Sequence, residues 1–170
     1  MENTLSAFDP KSEDRAALRR AFSRFGTGVT VVTTQTDQGP TGITANSFSS
    51  VSLDPALVLW SVAHRSERSD AFMQAQAFCV HILAANQESL AHHFAARGHS
   101  FDNIDWTIGP NGAPTLSDVL ATFHCNTFAT HPAGDHTIIV GEVTHASNRP
   151  DNAAGLLFER SSFGQFQKFE

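Results

Sequence analysis

Residues 40–61 read PTGITANSFSSVSLDPALVLWS. Within them Thr44-Ala45-Asn46-Ser47-Phe48-Ser49-Ser50 carries hydrogen-bonding side chains at five of seven positions. Ile43 precedes this polar core, and Val51, Leu53, Leu57, Val58, Leu59 and Trp60 follow it. Asp54-Pro55 marks a turn, because proline fixes φ and lacks a donor, so the segment reads as two strands joined there. Hydroxyls and an amide on a pleated surface can satisfy a polar, planar ligand rich in acceptors. The same pattern describes a solvated strand edge with Ser and Thr facing water.

Upstream, Asp9-Pro10 is a favourable helix opening, with a capping residue ahead of Pro at the first helical position. Ala17, Leu18, Ala21, Phe22 and Phe25 recur at helical spacing, and Gly26 and Gly28 end the run. Val29 to Thr34 is β-branched throughout and predicts a strand. Asp37-Gln38-Gly39-Pro40 then turns the chain into the central stretch as a hairpin.

Downstream, the strand over Leu57–Val62 gives way to polar His64–Asp70, and Ala71, Phe72 and Ala75 suggest a short helix. Phe78–Leu83 reads as a strand, and Asn86 as the cap of a helix reaching Arg97. Gly98–Gly112 lacks periodicity and is expected to be a long loop. Ala121–Ala129 alternates, with Phe123, Cys125 and Thr127 on one face and His124, Asn126 and Phe128 on the other. Pro132–Asp135 turns into a strand over His136–Val143, and a last short strand is expected near Gly155–Phe158. Strands outnumber helices and follow one another through tight turns, which predicts an antiparallel β-barrel with a few helices over its ends.

The chain has 170 residues, suited to one domain over 1–170, with residues 1–10 expected to be a flexible N-terminus. Charged residues make up only 16% and the net charge is −6. A sparsely charged surface suggests that a second subunit covers part of it. Lysine occurs only at Lys11 and Lys168, so no basic stripe invites nucleic acid. No apolar run approaches the ~18 residues that span a bilayer, and the acidic N-terminus lacks a signal peptide's apolar core. Cys79 and Cys125 lie in apolar strand-like runs and read as buried thiols in a reducing compartment, hence a soluble cytoplasmic protein.

Standard catalytic signatures are missing. There is no G-x-G-x-x-G, P-loop, C-x-x-C, H-E-x-x-H or nucleophile elbow, and the nine histidines lack ligand spacing, so no metal site is expected. Three features remain. Arg65, Ser66, Arg68 and Ser69 sit at a helix start, where hydroxyls, guanidinium groups and free N–H groups suit a phosphate. An ordinary helix cap with solvated arginines has the same composition. Gly134-Asp135-His136 puts a histidine at the mouth of a strand, and Arg160 with Phe163 and Gly164 forms a polar-aromatic cluster near the C-terminus.

Taken together, Phe25-Gly26-Thr27-Gly28-Val29-Thr30-Val31-Val32-Thr33, the run from Gly42 to Pro55, and Gly134-Asp135-His136 followed by Ile138, Val140, Gly141, Glu142 and Val143 resemble the short-chain flavin reductase family. These are the reductase components of two-component flavin-dependent monooxygenases. The resemblance runs from about Leu18 to Gly164. It implies a mainly β, Greek-key split β-barrel of the FMN-binding type and a homodimer. It implies FMN or FAD as the flavin, NADH or NADPH as electron donor, and a partner monooxygenase that receives reduced flavin. By position, Thr30, Thr44, Asn46, Ser47 and Ser52 would line the flavin, Ser66 and Ser69 would hold its phosphate, and His136 would lie where nicotinamide docks. Arg160 is carried over alone: the family's R-G-R-Y-G reads Arg160-Ser161-Ser162-Phe163-Gly164 here, without the second arginine and the tyrosine. A flavin-binding electron carrier with little NAD(P)H turnover, and an oxidase of the pyridoxamine-phosphate-oxidase-like split barrel, are the alternative functions.

Overall fold

The computed structural model describes Leu5, residues 7–11 and residues 15–168. Of the segment 1–10 expected to be flexible, residues 1–4 and 6 lie outside the described residues, as do residues 12–14 before the first helix. Helix α1 is described over Arg15–Phe22, and Asp9 instead accepts a hydrogen bond from the Lys11 N–H at 2.8 Å in a local turn. The helix stops at Phe22 rather than running to Phe25. The far end of its apolar stripe is exposed: Phe22 is 69% accessible, and Phe25 just beyond the helix 78%, while Ala17 and Leu18 are half-buried.

A seven-stranded antiparallel sheet forms the body. Its strands are β2 (Thr30–Thr36), β3 (Gly39–Ala45), β4 (Ser49–Leu53), β5 (Ala56–Ala63), β6 (Ala77–Ile82), β9 (Ala121–Ala133) and β10 (His136–Asn148), in the order β3-β2-β6-β9-β10-β5-β4. Its edge strands, β3 and β4, are consecutive in the chain and joined by only Asn46-Ser47-Phe48. Three residues span at most ~10 Å, so the sheet has to curl until its edges nearly meet. The barrel closes imperfectly along that seam. The expected hairpins β2–β3, β4–β5 and β9–β10 all form.

Between β5 and β6 the chain crosses the barrel through α2 (Ser69–Gln74), whose Phe72 plugs one end. Phe72 packs edge-on to Trp60 at 5.0 Å between ring centroids, and Phe78 meets the same indole at 6.2 Å. Val32, Val58, Val62, Val80 and Ile139 complete this inner core. A second core lies outside the β2–β6 face, where Val29, Val31 and Leu83 pack under Ala91 and Phe94 of α3 (Glu88–Ala96). Successive residues of β2 therefore face two different cores. This explains an unbroken β-branched run where a half-exposed strand would alternate.

Several local expectations need correction. Residues 98–112 are not wholly a loop: β7 (Trp106–Ile108) pairs with β8 (Pro114–Leu116), turning through Gly109–Gly112, with Gly112 at φ +81. Asn86 does not cap α3; it lies in a short 3₁₀ turn, Ala85–Gln87, where the Gln87 side chain accepts the Ala84 N–H at 2.9 Å. The alternation of β9 does not separate a wet face from a dry one. His124 and Cys125 are both buried, because Asn111 covers the outer face and bonds His124 at 3.2 Å. The final strand continues as a hairpin of β11 (Leu156–Glu159) and β12 (Ser162–Gln165), which joins β1 (Thr27–Gly28) in a small separate sheet. Among the described residues no helix is long and apolar enough to cross a membrane.

Candidate active site

The seam between the sheet edges is held by side chains. Ser47 Oγ accepts the Ser61 N–H at 2.9 Å and donates to the Ser61 carbonyl at 3.1 Å, so it supplies β5 with the rung that the backbone has stopped providing. Asn46 stands exposed beside it and donates through Nδ2 to Thr27 Oγ1 at 3.2 Å, which leaves its side-chain carbonyl free. Ser49 and Ser50 follow on the exposed edge strand.

The other expected hydroxyls on this wall are already engaged. Thr30 Oγ1 donates to the Ala45 carbonyl at 2.7 Å, and Thr44 Oγ1 donates to the Ala91 carbonyl at 2.6 Å, tying β3 to α3. Ser52 Oγ accepts the Asp54 N–H at 3.2 Å beside the β4–β5 turn. The structure does not bring Ser52 to the histidine end: it pairs with Leu57, six residues along β5 from Ala63, or about 20 Å at strand rise.

His136 opens β10 opposite Ala63, the last residue of β5. The two-residue turn Gly134-Asp135 sets it there, with Gly134 at φ +66, a conformation that glycine adopts freely. Asp135 Oδ1 lies 2.7 Å from His136 Nδ1, and a carboxylate only accepts, so Nδ1 carries the proton and Nε2 is left for another partner. The hydrogen bond from His136, then its charge and that of Arg65, hold the Asp135 carboxyl below the usual range. His64 locks the neighbouring turn: its N–H donates to the Asp135 carbonyl at 2.9 Å and its Nε2 lies 2.9 Å from Thr137 Oγ1.

From His64 the chain enters the Arg65–Ser69 turn. Ser66 Oγ is half-buried and accepts the Arg68 N–H at 3.3 Å, while Ser69 is buried and its hydroxyl turns back to the His64 carbonyl at 3.4 Å. Arg68 does not face the ligand side. Its guanidinium donates to the carbonyls of Phe94 at 2.7 Å, Ala95 at 3.0 Å and Gly42 at 3.3 Å, capping α3, and burial pulls its pKa down. Arg65 remains exposed as the cation of the turn.

Arg160 sits at the β11–β12 hairpin tip with φ +49; its side chain pairs with Glu159 at 3.4 Å and its N–H donates to the Ser23 carbonyl. Its strand lies beside Thr27, the partner of Asn46, so it borders the Asn46 end of the seam rather than the histidine end. Sequence reasoning passed over the Ser61 backbone, which no side-chain pattern could signal.

The fold and site define an antiparallel split barrel with a polar seam, a histidine at the barrel rim and a cationic turn beside it. The chain belongs to the flavin reductase-like domain family, whose model matches residues 22–167. It is 48% identical over 161 residues to the FMN reductase (NADH) SmoA of Agrobacterium fabrum, covering 95% of this chain and 91% of that protein. The solved structure of the Streptomyces globisporus C-1027 NADH:FAD oxidoreductase SgcE6 matches with a TM-score of 0.91 at 40% identity, over 100% of this chain and 96% of that one. BorF, the flavin reductase component of a bacterial two-component tryptophan halogenase, matches with a TM-score of 0.84 at 37% identity, over 92% and 100%.

Proposed function

We propose that this chain is an NAD(P)H:flavin oxidoreductase working as one domain over 1–170, passing reduced flavin to a separate flavin-dependent monooxygenase. The observation that carries this reading is the β5–β10 register, which sets His136 against Ala63 with the Ser47–Ser61 seam two residues away along the same strand. One strand thus lines up an edge for a planar ring, a cationic turn for a phosphate and an imidazole for a second ring. The residues fit a flavin: Asn46 keeps a free amide oxygen and exposed Ser49 and Ser50 offer hydroxyls, all on a strand edge whose backbone is unpaired on one side.

When bound, the flavin supplies the acceptor for a hydride from the reduced nicotinamide. The chain's task is to hold two rings face to face, which needs positioning rather than a strong acid or nucleophile. Asn46 orients the ring edge. Ser47, Thr30 and Thr44, whose hydroxyls are engaged by backbone, fix the wall against which it lies, and Ser52 bounds its far end. Ser66, with Arg65, receives the phosphate, Ser69 shapes that turn, and Arg160 borders the Asn46 end. His136 meets the nicotinamide through Nε2. NADH is the donor named for the similar reductases, and we adopt it here.

The exposed apolar residues Phe22 and Phe25, with Val51 and Leu53 on β4, support a homodimer, with twice the 18.4 kDa chain mass in light scattering. Steady-state oxidation of NADH and NADPH, each with riboflavin, FMN or FAD, tests the function. Flavin-dependent consumption of NADH is expected. Tight flavin binding without NADH consumption would make the chain an electron carrier instead.

A further inference from the structure

His64 follows the last residue of β5 and precedes the Arg65–Ser69 turn, so it stands where the strand that carries the Ser47–Ser61 seam meets the cationic turn. It is exposed, yet three of its groups are engaged. The backbone N–H donates to the Asp135 carbonyl at 2.9 Å, the backbone carbonyl accepts Ser69 Oγ at 3.4 Å, and Nε2 lies 2.9 Å from Thr137 Oγ1. Asp135 and Thr137 are the chain neighbours of His136. One residue therefore holds the main chain on both sides of the rim histidine.

The proton in the side-chain bond belongs to His64. Thr137 Oγ1 has a single proton and donates it to Met73 Sδ at 3.3 Å, so it accepts from His64 Nε2–H. The chain His64–Thr137–Met73 thus ties the start of β10 to α2. Thr137 is buried, and successive residues of a strand face opposite sides, so this anchor lies on the face of β10 away from the His136 ring. The side-chain partner of His136 itself is the Asp135 carboxylate, which rides on the same turn and cannot fix the turn's position. His136 also occupies the last rung of the β5–β10 ladder, where pairing frays most easily, and the two His64 bonds close that end.

We propose that His64 is a positioning residue for hydride transfer: it brackets His136 through Asp135 and Thr137 and so holds the reachable Nε2 where the nicotinamide docks. The proposal rests on the flavin reductase reading above. A misplacement of about 1 Å in a two-ring reaction can cost about a hundredfold in rate, so a hydrogen bond that never meets substrate can still govern it. Because His64 also opens the phosphate turn and receives Ser69 Oγ on its carbonyl, the same residue fixes that turn and the His136 turn relative to each other.

Stopped-flow reduction of pre-bound flavin by NADH tests this in wild type, His64→Ala, His64→Asn, His64→Gln and Thr137→Val, with flavin affinity measured by fluorescence on the same proteins. His64→Ala should slow reduction about tenfold and leave flavin affinity within about twofold. Glutamine reaches about as far as Nε2 and carries an N–H there, so His64→Gln should recover most of the rate, and the shorter His64→Asn should not. Thr137→Val removes the same bond from its other end and should repeat the loss. In a chain that already carries His136→Ala, His64→Ala should cost less than about twofold more, because no imidazole is left to position. The full tenfold loss in that background would overturn the proposal. So would an unchanged rate in His64→Ala or Thr137→Val, or a glutamine variant no faster than alanine. Flavin affinity falling in step with the rate would also overturn it, giving His64 to the phosphate turn alone. Wild type that binds flavin but is not reduced by NADH would instead sink the reading of the chain as a reductase.

Discussion

Ser47 stands in for a strand partner of Ser61, accepting its N–H at 2.9 Å and donating to its carbonyl at 3.1 Å. A residue expected to serve only a ligand therefore also closes the barrel. Ser47→Ala leaves two backbone groups of β5 without partners, and the cost is of the order of 1–3 kcal/mol for the pair when water cannot fully replace the hydroxyl. Thermal or urea unfolding of the flavin-free protein should show this loss. Unchanged stability would return Ser47 to a purely ligand-binding role.

Asn46 is the contrast. Its amide is exposed and holds only Thr27, so Asn46→Ala should change flavin-free stability by less than about 0.5 kcal/mol, as for other surface sites. Flavin affinity should fall by roughly 1–3 kcal/mol, the scale of an unsatisfied polar partner. A fall in stability with unchanged affinity would reverse the assignment. The two serial residues thus separate a seam contact from a ligand contact.

His81 makes the stability of the fold depend on pH. It is fully buried between the Val31 carbonyl, 2.9 Å from Nδ1, and the Leu116 N–H, which donates to Nε2 at 3.0 Å. Nε2 accepts, so the ring is neutral, and burial pulls its pKa down to about 4. Above pH ~6.5 the imidazole is neutral both folded and unfolded and costs nothing. As pH falls from ~6.5 towards ~4 the unfolded chain takes up a proton that the folded one refuses, so up to about 3 kcal/mol of stability is lost. His81→Gln, which keeps one donor and one acceptor but cannot ionise, should flatten the difference between urea midpoints at pH 7.5 and 4.5. An equal pH difference in both proteins would place its origin elsewhere.

What the chain disclosed in one dimension was its inventory of groups, and what it withheld was their partners. The run from Thr44 to Ser50 announced a polar strand edge, and Gly134-Asp135-His136 announced a hairpin tip, because both depend on neighbours in sequence. Whether the Thr44 hydroxyl met a ligand or the Ala91 carbonyl depended on where α3 docks, 47 residues away. Arg68 read as a phosphate ligand for the same reason: its true partners, the last carbonyls of α3, become neighbours only on folding. Trp106–Ile108 was hidden by shortness, since three residues carry no period, although the Gly109-Pro110-Asn111-Gly112 turn beside it was legible. The apolar stripe of α1 was legible from its spacing, but not that its Phe22 end stays exposed, because amphipathicity reports an apolar stripe and not what covers it.

The cysteines should be inert in the folded protein. Both are buried, and burial pushes the Cys125 thiol up to about 12 and Cys79 further still, so almost no thiolate exists at neutral pH. A disulfide-exchange reagent should titrate close to zero thiols in native protein and both thiols in denaturant. Rapid native reaction would mean that β6 and β9 open far more readily than their packing suggests.

His136 should assist hydride transfer without performing it. Its Nδ1–H is held by Asp135 at 2.7 Å, and its side chain is 43% exposed, so Nε2 is both oriented and reachable. A hydride moves with its electron pair between two rings and needs no general base, so the imidazole contributes by orienting the nicotinamide and by offsetting negative charge that builds on the acceptor. Its removal should slow the reaction rather than abolish it. We expect His136→Ala to lower kcat/KM for NADH by roughly ten- to a thousand-fold, or about 1.4–4 kcal/mol, with flavin affinity little changed because the imidazole is hydrogen-bonded to Asp135 and holds neither Asn46 nor Ser66 in place. Asp135→Asn keeps a hydrogen-bond acceptor but removes the charge that favours the Nδ1–H form, and should produce a smaller loss of the same kind. Stopped-flow reduction of pre-bound flavin by NADH separates the steps. A rate unchanged across NADH concentrations in His136→Ala would reduce the histidine to a residue of the β9–β10 turn, whose only partner of consequence is the carboxylate beside it.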